Sequence, residues 1–149
     1  MAFEGQESEL LKAFRLAFEE ANRAWNEGDV KSAYAALPDE MEYRLAPTWP
    51  EARVLGGRDQ VIEFFEDFQE TFPDAQTASH EFIEGDDGTM IVGFRVIGNG
   101  RNSGAGTEME IWQVWQLSDE LTPSAVSEFA NRETALDEAG VTESRTRGA

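Results

Sequence analysis

Leu11, Phe14, Phe18, Ala21 and Trp25 recur at intervals of three and four, with charged residues between them. That is the period of an amphipathic helix. The pattern predicts a long first helix over residues 7–27. Gly28 stops it, and Asp29 caps a short second helix running through Leu37. Pro38 breaks the chain. Residues 40–46 (Glu-Met-Glu-Tyr-Arg-Leu-Ala) alternate and read as a strand. Residues 47–57 form a loop that carries Trp49. Val61, Phe64, Phe65, Phe68 and Phe72 mark a third helix, ended by Pro73.

Beyond Pro73 the pattern changes to strands, over residues 76–84, 89–98, 107–117 and 124–130. Asp86-Asp87-Gly88 is a hairpin turn signal. A glycine-rich connection spans residues 98–106, and a loose turn spans residues 118–124. Asn131 starts a last helix over residues 132–139, and Gly140 stops it. Helices followed by a run of antiparallel strands make an α+β domain. It occupies residues 1–140 and is followed by a flexible tail over 141–149.

Composition narrows the function. Twelve basic residues face thirty acidic ones, for a formal charge of -18. Such a chain repels phosphate backbones, which argues against nucleic-acid partners. The charge serves solubility, with adaptation to high salt as the sharper alternative. The absence of cysteine excludes disulfides and thiolate chemistry. Asp86-Asp87-Gly88 lacks the later Glu of a calcium loop, so no metal is expected. The glycine-rich segment lacks the Gly-Lys-Ser/Thr of a phosphate loop, and no cofactor is expected. No apolar stretch is long enough to span a bilayer, and no leader is visible in the first 30 residues. A cytoplasmic location follows by default.

The order of elements and several short motifs are similar to a known family. Trp25-Asn26-Glu27-Gly28-Asp29 at the end of the first helix resembles SnoaL-like proteins of the nuclear transport factor two-like superfamily. So do Gly57-Arg58-Asp59 opening the third helix, Gly100 to Gly104 in the long hairpin, and the closing run from Asn131 to Leu136. The resemblance covers about residues 8 to 140. It implies a cone-shaped α+β barrel, a curved antiparallel sheet wrapped round the N-terminal helices, enclosing a mostly apolar pocket. Polyketide cyclases, ketosteroid isomerases, epoxide hydrolases and dehydratases share this fold. By alignment to ketosteroid isomerases, Ala21, Tyr43 and Gln113 stand where the catalytic Tyr, the Asp base and the second acid would be. Arg95 is followed two residues later by Ile97, where the epoxide hydrolases carry Asp. The resemblance therefore implies the family's pocket without either set of catalytic carboxylates.

Strand parity selects the side chains that face that pocket. A hairpin tip at Asn102-Ser103 sets Phe94 opposite Ile111, Val96 opposite Met109 and Val92 opposite Gln113, an apolar face with one amide. Arg95 opposite Glu110 and Gly93 opposite Trp112 belong to the convex face. On residues 76–84 the same alternation points Ala78, His80 and Phe82 inward. The expected ligand-binding set is Tyr43, Trp49, Phe68, His80, Phe94 and Gln113. His80, the single histidine and the side chain that titrates nearest neutrality, is the best catalytic candidate.

Two functions follow. The first is a site for a small apolar molecule, possessing or lacking enzymatic chemistry, built round Tyr43, His80 and Gln113. The second is a non-catalytic homodimeric binding module that pairs through the convex sheet face, where an outward Trp112 would otherwise lie exposed.

Overall fold

A computed structural model describes residues 8–99, 106–118 and 122–141. Helix α1 (Glu9–Asn26) begins at Ser8, whose hydroxyl accepts from the Leu11 amide. Helix α2 (Val30–Ala33) is a single turn capped by Asp29. It stops short of Leu37 because the following residues turn inward: Tyr34 stacks on Phe65, and Leu37 is buried. Strand β1 (Glu42–Arg44) pairs antiparallel with β2 (Val54–Gly56), which lies inside the stretch expected to be loop. Three residues are too few to display a period of two.

Helix α3 (Arg58–Thr71) starts at Gly57, whose φ is 103°. A Cβ there would stand 1.9 Å from the Asp39 carbonyl oxygen, so only glycine fits. Strands β3 (Gln76–Glu84), β4 (Thr89–Asn99), β5 (Gly106–Leu117) and β6 (Pro123–Phe129) lead to α4 (Arg132–Ala139). Asn131 caps α4 by accepting from the Thr134 amide, and Gly140 ends it. The helix bounds, caps and stop of α4 match the sequence reading. The expected hairpin tip, the middle of the turn over 118–124 and the tail over 142–149 lie outside the described residues.

The six strands form one curved, open sheet in the order β2-β1-β6-β5-β4-β3. All neighbours are antiparallel except β1 and β6, which run parallel. The sheet does not close: β2 and β3 are its edges. Register between β4 and β5 is the expected one, with Phe94 opposite Ile111, Val92 opposite Gln113 and Gly93 opposite Trp112.

Helices α1 and α3 fill the concave side. Trp25, Tyr43, Phe65, Phe94, Ile111 and Val126 form part of one buried cluster there. Helix α4 covers the convex side, burying Ile83, Ile91, Trp112 and Val114 beneath Ala135 and Leu136. Trp112 is therefore only 1% exposed. Its indole lies flat against Gly93, where a Cβ would come within 2.5 Å of the ring. Arg132 sits over it at 5.8 Å, and its Nε1 donates to Glu110. The Trp112 side chain expected to lie exposed on the convex face is thus covered by the chain's own last helix.

Edge strand β3 is fastened to α1 by two amides. The backbone N–H of Thr77 donates to Asn26 Oδ1 at 2.7 Å, and its carbonyl accepts from Asn26 Nδ2 at 2.9 Å. Asn22 Nδ2 donates to the same carbonyl at 3.1 Å. Asn26 thereby plays the part of a neighbouring strand at the sheet edge.

Candidate active site

Between α1 and the concave sheet lies a cavity of about 150 Å3. Phe14, Phe18 and Trp25 of α1, Phe65 of α3, Phe94 of β4 and Trp115 of β5 supply most of its walls. The exposed Ala17 and Ala36 and the half-buried Leu117 mark its rim. Asn22 and Thr77 form one small polar edge. The rest of its polarity gathers at Tyr43, Gln113 and Glu128.

Glu128 holds that group together. Register places it directly opposite Gln113 on the concave face, and it is 2% exposed. Each carboxylate oxygen accepts twice. Oε1 takes the Ala46 backbone N–H at 3.1 Å and the Trp49 Nε1–H at 2.6 Å. Oε2 takes the Tyr43 hydroxyl at 3.0 Å and the Gln113 amide at 2.7 Å. Four donors fill the acceptor capacity of an ionised carboxylate. Gln113 Nε2 also donates to the Tyr43 oxygen at 2.8 Å, and Gln113 Oε1 accepts from Trp115 Nε1 at 2.7 Å. Tyr34 reaches Tyr43 and Trp25 through its own hydroxyl.

Burial governs the titration of this group. It pushes the Glu128 carboxyl above the ordinary carboxylate value, while the four donors pull the other way. Burial and the neighbouring Glu128 charge push the Tyr43 phenol well above its usual value, and they raise Tyr34 as well. Both phenols are therefore protonated donors at neutral pH. Chemically, the arrangement offers a buried carboxylate that holds or releases a proton, joined to the cavity through a phenol.

Of the residues expected at the site, Tyr43, Trp49, Phe94 and Gln113 line the cavity. Phe68 does not. It packs edge-on against Trp49 at 5.0 Å and lines a separate hollow toward the end of α3. His80 is a correction. It is exposed on the opposite face of the sheet, with its ring against Trp112 at 5.3 Å. The cause is a β-bulge: Ser79 pairs with Phe94 and Glu81 with Gly93, leaving His80 as the extra residue. Thr77 and Ser79, not Ala78, share the inward parity before the bulge, and Phe82 regains it afterwards. Glu128 was missed. The available signal was its spacing of two from Val126 on a strand whose inward side was never assigned.

Among the described residues, no cluster of His, Asp and Glu could hold a metal ion. No described helix is long and apolar enough to cross a membrane.

The SnoaL-like domain family matches residues 18–122. The chain belongs to that family. Solved structures of the same fold agree. SalBIII, an epoxide hydrolase/cyclase-like enzyme with a role in pyran ring formation in the polyether salinomycin, superposes with a TM-score of 0.66 at 15% identity. That match covers 82% of this chain and 93% of the other. AclR, a putative hydroxylase from Streptomyces galilaeus, gives 0.64 at 13% identity over 87% and 97% of the two chains. A hypothetical protein of ketosteroid isomerase-like fold from Catenulispora acidiphila, solved with trimethylamine, gives 0.64 at 9% identity over 92% and 96%. No curated protein sequence matches. This SnoaL-like domain therefore shares its fold with cyclase- and hydrolase-like enzymes, and Tyr43, Gln113 and Glu128 are its own polar set within that fold.

Proposed function

We propose that this SnoaL-like domain takes up a small, mainly hydrocarbon molecule in the cavity between α1 and the sheet, and that Glu128 serves as its acid–base group through Tyr43. The observation that carries this is the cavity itself. Protein interiors are close-packed, yet here aromatic side chains surround about 150 Å3 of space that ends on a buried carboxylate. A volume of that order in an engineered apolar core takes up benzene. The hydrolase- and cyclase-like relatives support chemistry rather than storage. In the proposed relay a proton passes between the ligand and the Tyr43 oxygen as the Tyr43 proton passes to or from Glu128 Oε2.

A second reading, a binding module without chemistry, is favoured by one observation. Every acceptor site of Glu128 is already filled by a protein donor, so the carboxylate also serves to tie β1, β5, β6 and the segment 46–49 together. Native mass spectrometry of the purified chain, followed by release and identification of what it carries, separates the readings. Bound small organics are expected on the wild type and absent from Ala21→Phe, which fills the cavity from α1 while circular dichroism stays native. A wild type that carries nothing, and whose melting temperature is unmoved by a panel of benzene-sized ligands, removes both readings. Ligand recovered unchanged after prolonged incubation favours the second.

A further inference from the structure

We infer, building on that ligand-binding reading, that the molecule this cavity selects is a small cation of the quaternary ammonium class. Three observations converge. First, among the described residues no Lys, Arg or His lines the cavity, and the single formal charge on its wall is the Glu128 carboxylate. Second, that carboxylate is buried and hydrogen-bonded by four neutral donors, a set suited to its ionised form, yet no cation among the described residues pairs with it. Buried charges ordinarily have a counter-ion. Third, nine aromatic side chains surround the space, including Trp25, Trp49 and Trp115.

Aromatic faces attract an ammonium group electrostatically, most strongly when it is desolvated. An alkylated ammonium combines a hydrocarbon surface, which suits the apolar walls, with the positive charge that Glu128 lacks. When fully alkylated it has no N–H and needs no hydrogen-bond acceptor from the protein, which matters because the acceptor sites of Glu128 are occupied. An anion would meet Glu128 with nothing to offset it. The formal charge of -18 acts in the same direction, raising the local concentration of cations near the molecule at low ionic strength. Tyr43 from β1, Tyr34 after α2, Gln113 from β5 and Trp49 from the loop are the polar side chains packed round Glu128, and none of them carries positive charge.

The test compares two molecules of matched shape on the full wild-type chain. Choline and its uncharged isostere 3,3-dimethylbutan-1-ol are titrated by calorimetry and by tryptophan fluorescence at low ionic strength. Choline is expected to bind at least about tenfold more tightly than the isostere, as a desolvated cation–π contact allows. Ala21→Phe is expected to abolish choline binding, which places the cation in the cavity and not on the acidic surface. Glu128→Gln is expected to narrow the preference for choline without erasing it, because the nine aromatic side chains remain. The wild-type comparison stands even where that variant fails to fold. Equal or tighter binding of the isostere overturns the cation inference and leaves the ligand-binding reading intact. Choline binding that survives Ala21→Phe also overturns it. Binding of neither molecule overturns the cation inference, and the ligands recovered by native mass spectrometry then decide the broader reading separately.

Discussion

Glu128 is where a single residue carries the most weight. Truncation by Glu128→Ala leaves the Ala46 amide, the Trp49 indole and the Tyr43 hydroxyl without the acceptor they share, and the Gln113 amide with Tyr43 alone. A cost of at least about 3 kcal/mol is expected in urea denaturation, since each buried polar group left unmet costs roughly 1–3 kcal/mol. The pH dependence has a definite sign. Burial sets the native pKa of Glu128 above its unfolded value. Its stabilising contribution is then full below the unfolded carboxylate value and declines as pH rises through the raised native one. The difference between wild type and Glu128→Ala is expected to be largest in acid and to shrink toward neutral pH. A difference that grows with pH would mean that the four donors outweigh burial and that the native value is depressed. Tyr43 was legible because alignment to ketosteroid isomerases sets it at the position of the base, and Gln113 because it is the one amide on an apolar strand face. Glu128 was not, because a Glu among Ser and Ala on a closing strand gives no hint that Tyr43, Trp49 and Gln113 will converge on it from other elements. His80 was legible as chemistry and illegible as position.

The elements show why parity failed on one strand and held on the next two. Strands β4 and β5 pair without interruption, so a single guess at the hairpin tip fixes every facing residue. Strand β3 has an edge, and a bulge at His80 shifts its register between Ser79 and Glu81. After the bulge Glu81 reaches Arg132 of α4 through two bonds, at 3.1 and 2.9 Å. No run of residues in β3 announces the bulge, and the partner that Glu81 meets after it comes from elsewhere in the chain. Strand β2 was missed for a related reason: its three residues are held by β1 rather than by a pattern of their own. The edge itself depends on α1. Asn26→Ala removes both bonds that stand in for a missing strand at Thr77. A loss of about 1–3 kcal/mol is expected, with faster hydrogen exchange at the Thr77 amide than at amides in the middle of β4 and β5. Uniformly faster exchange across the sheet would show that Asn26 supports the whole fold rather than its edge.

At the scale of the whole molecule, Trp112 was expected to lie exposed on the convex face, and α4 lies over it. Charge is the property that remains for the molecule as a whole. Thirty acidic residues face twelve basic ones. The exposed side of α3 alone carries Glu63, Glu66, Asp67 and Glu70 at spacings that bring like charges together. Surface pairs such as Arg15–Glu19 and Arg95–Glu108 are exposed and too few to offset this. Salt screens both kinds of contact, so the sign of its effect reports which prevails. Repulsion prevails when acids outnumber bases to this degree. The urea midpoint is therefore expected to rise as NaCl increases from about 10 mM to 150 mM, as the screening length falls from about 30 Å to 8 Å. A gain of about 1 kcal/mol corresponds to relief of a few like-charge pairs on the surface. Screening saturates once that length is shorter than the spacing between charges, whereas exclusion of a kosmotropic salt from the surface keeps strengthening burial as more is added. A midpoint that rises and then levels supports self-repulsion as the cost of the acidic surface. A flat response at low salt with a steady climb in molar sulfate assigns the effect to exclusion, and a fall on adding NaCl would mean that the surface ion pairs outweigh the excess of acids.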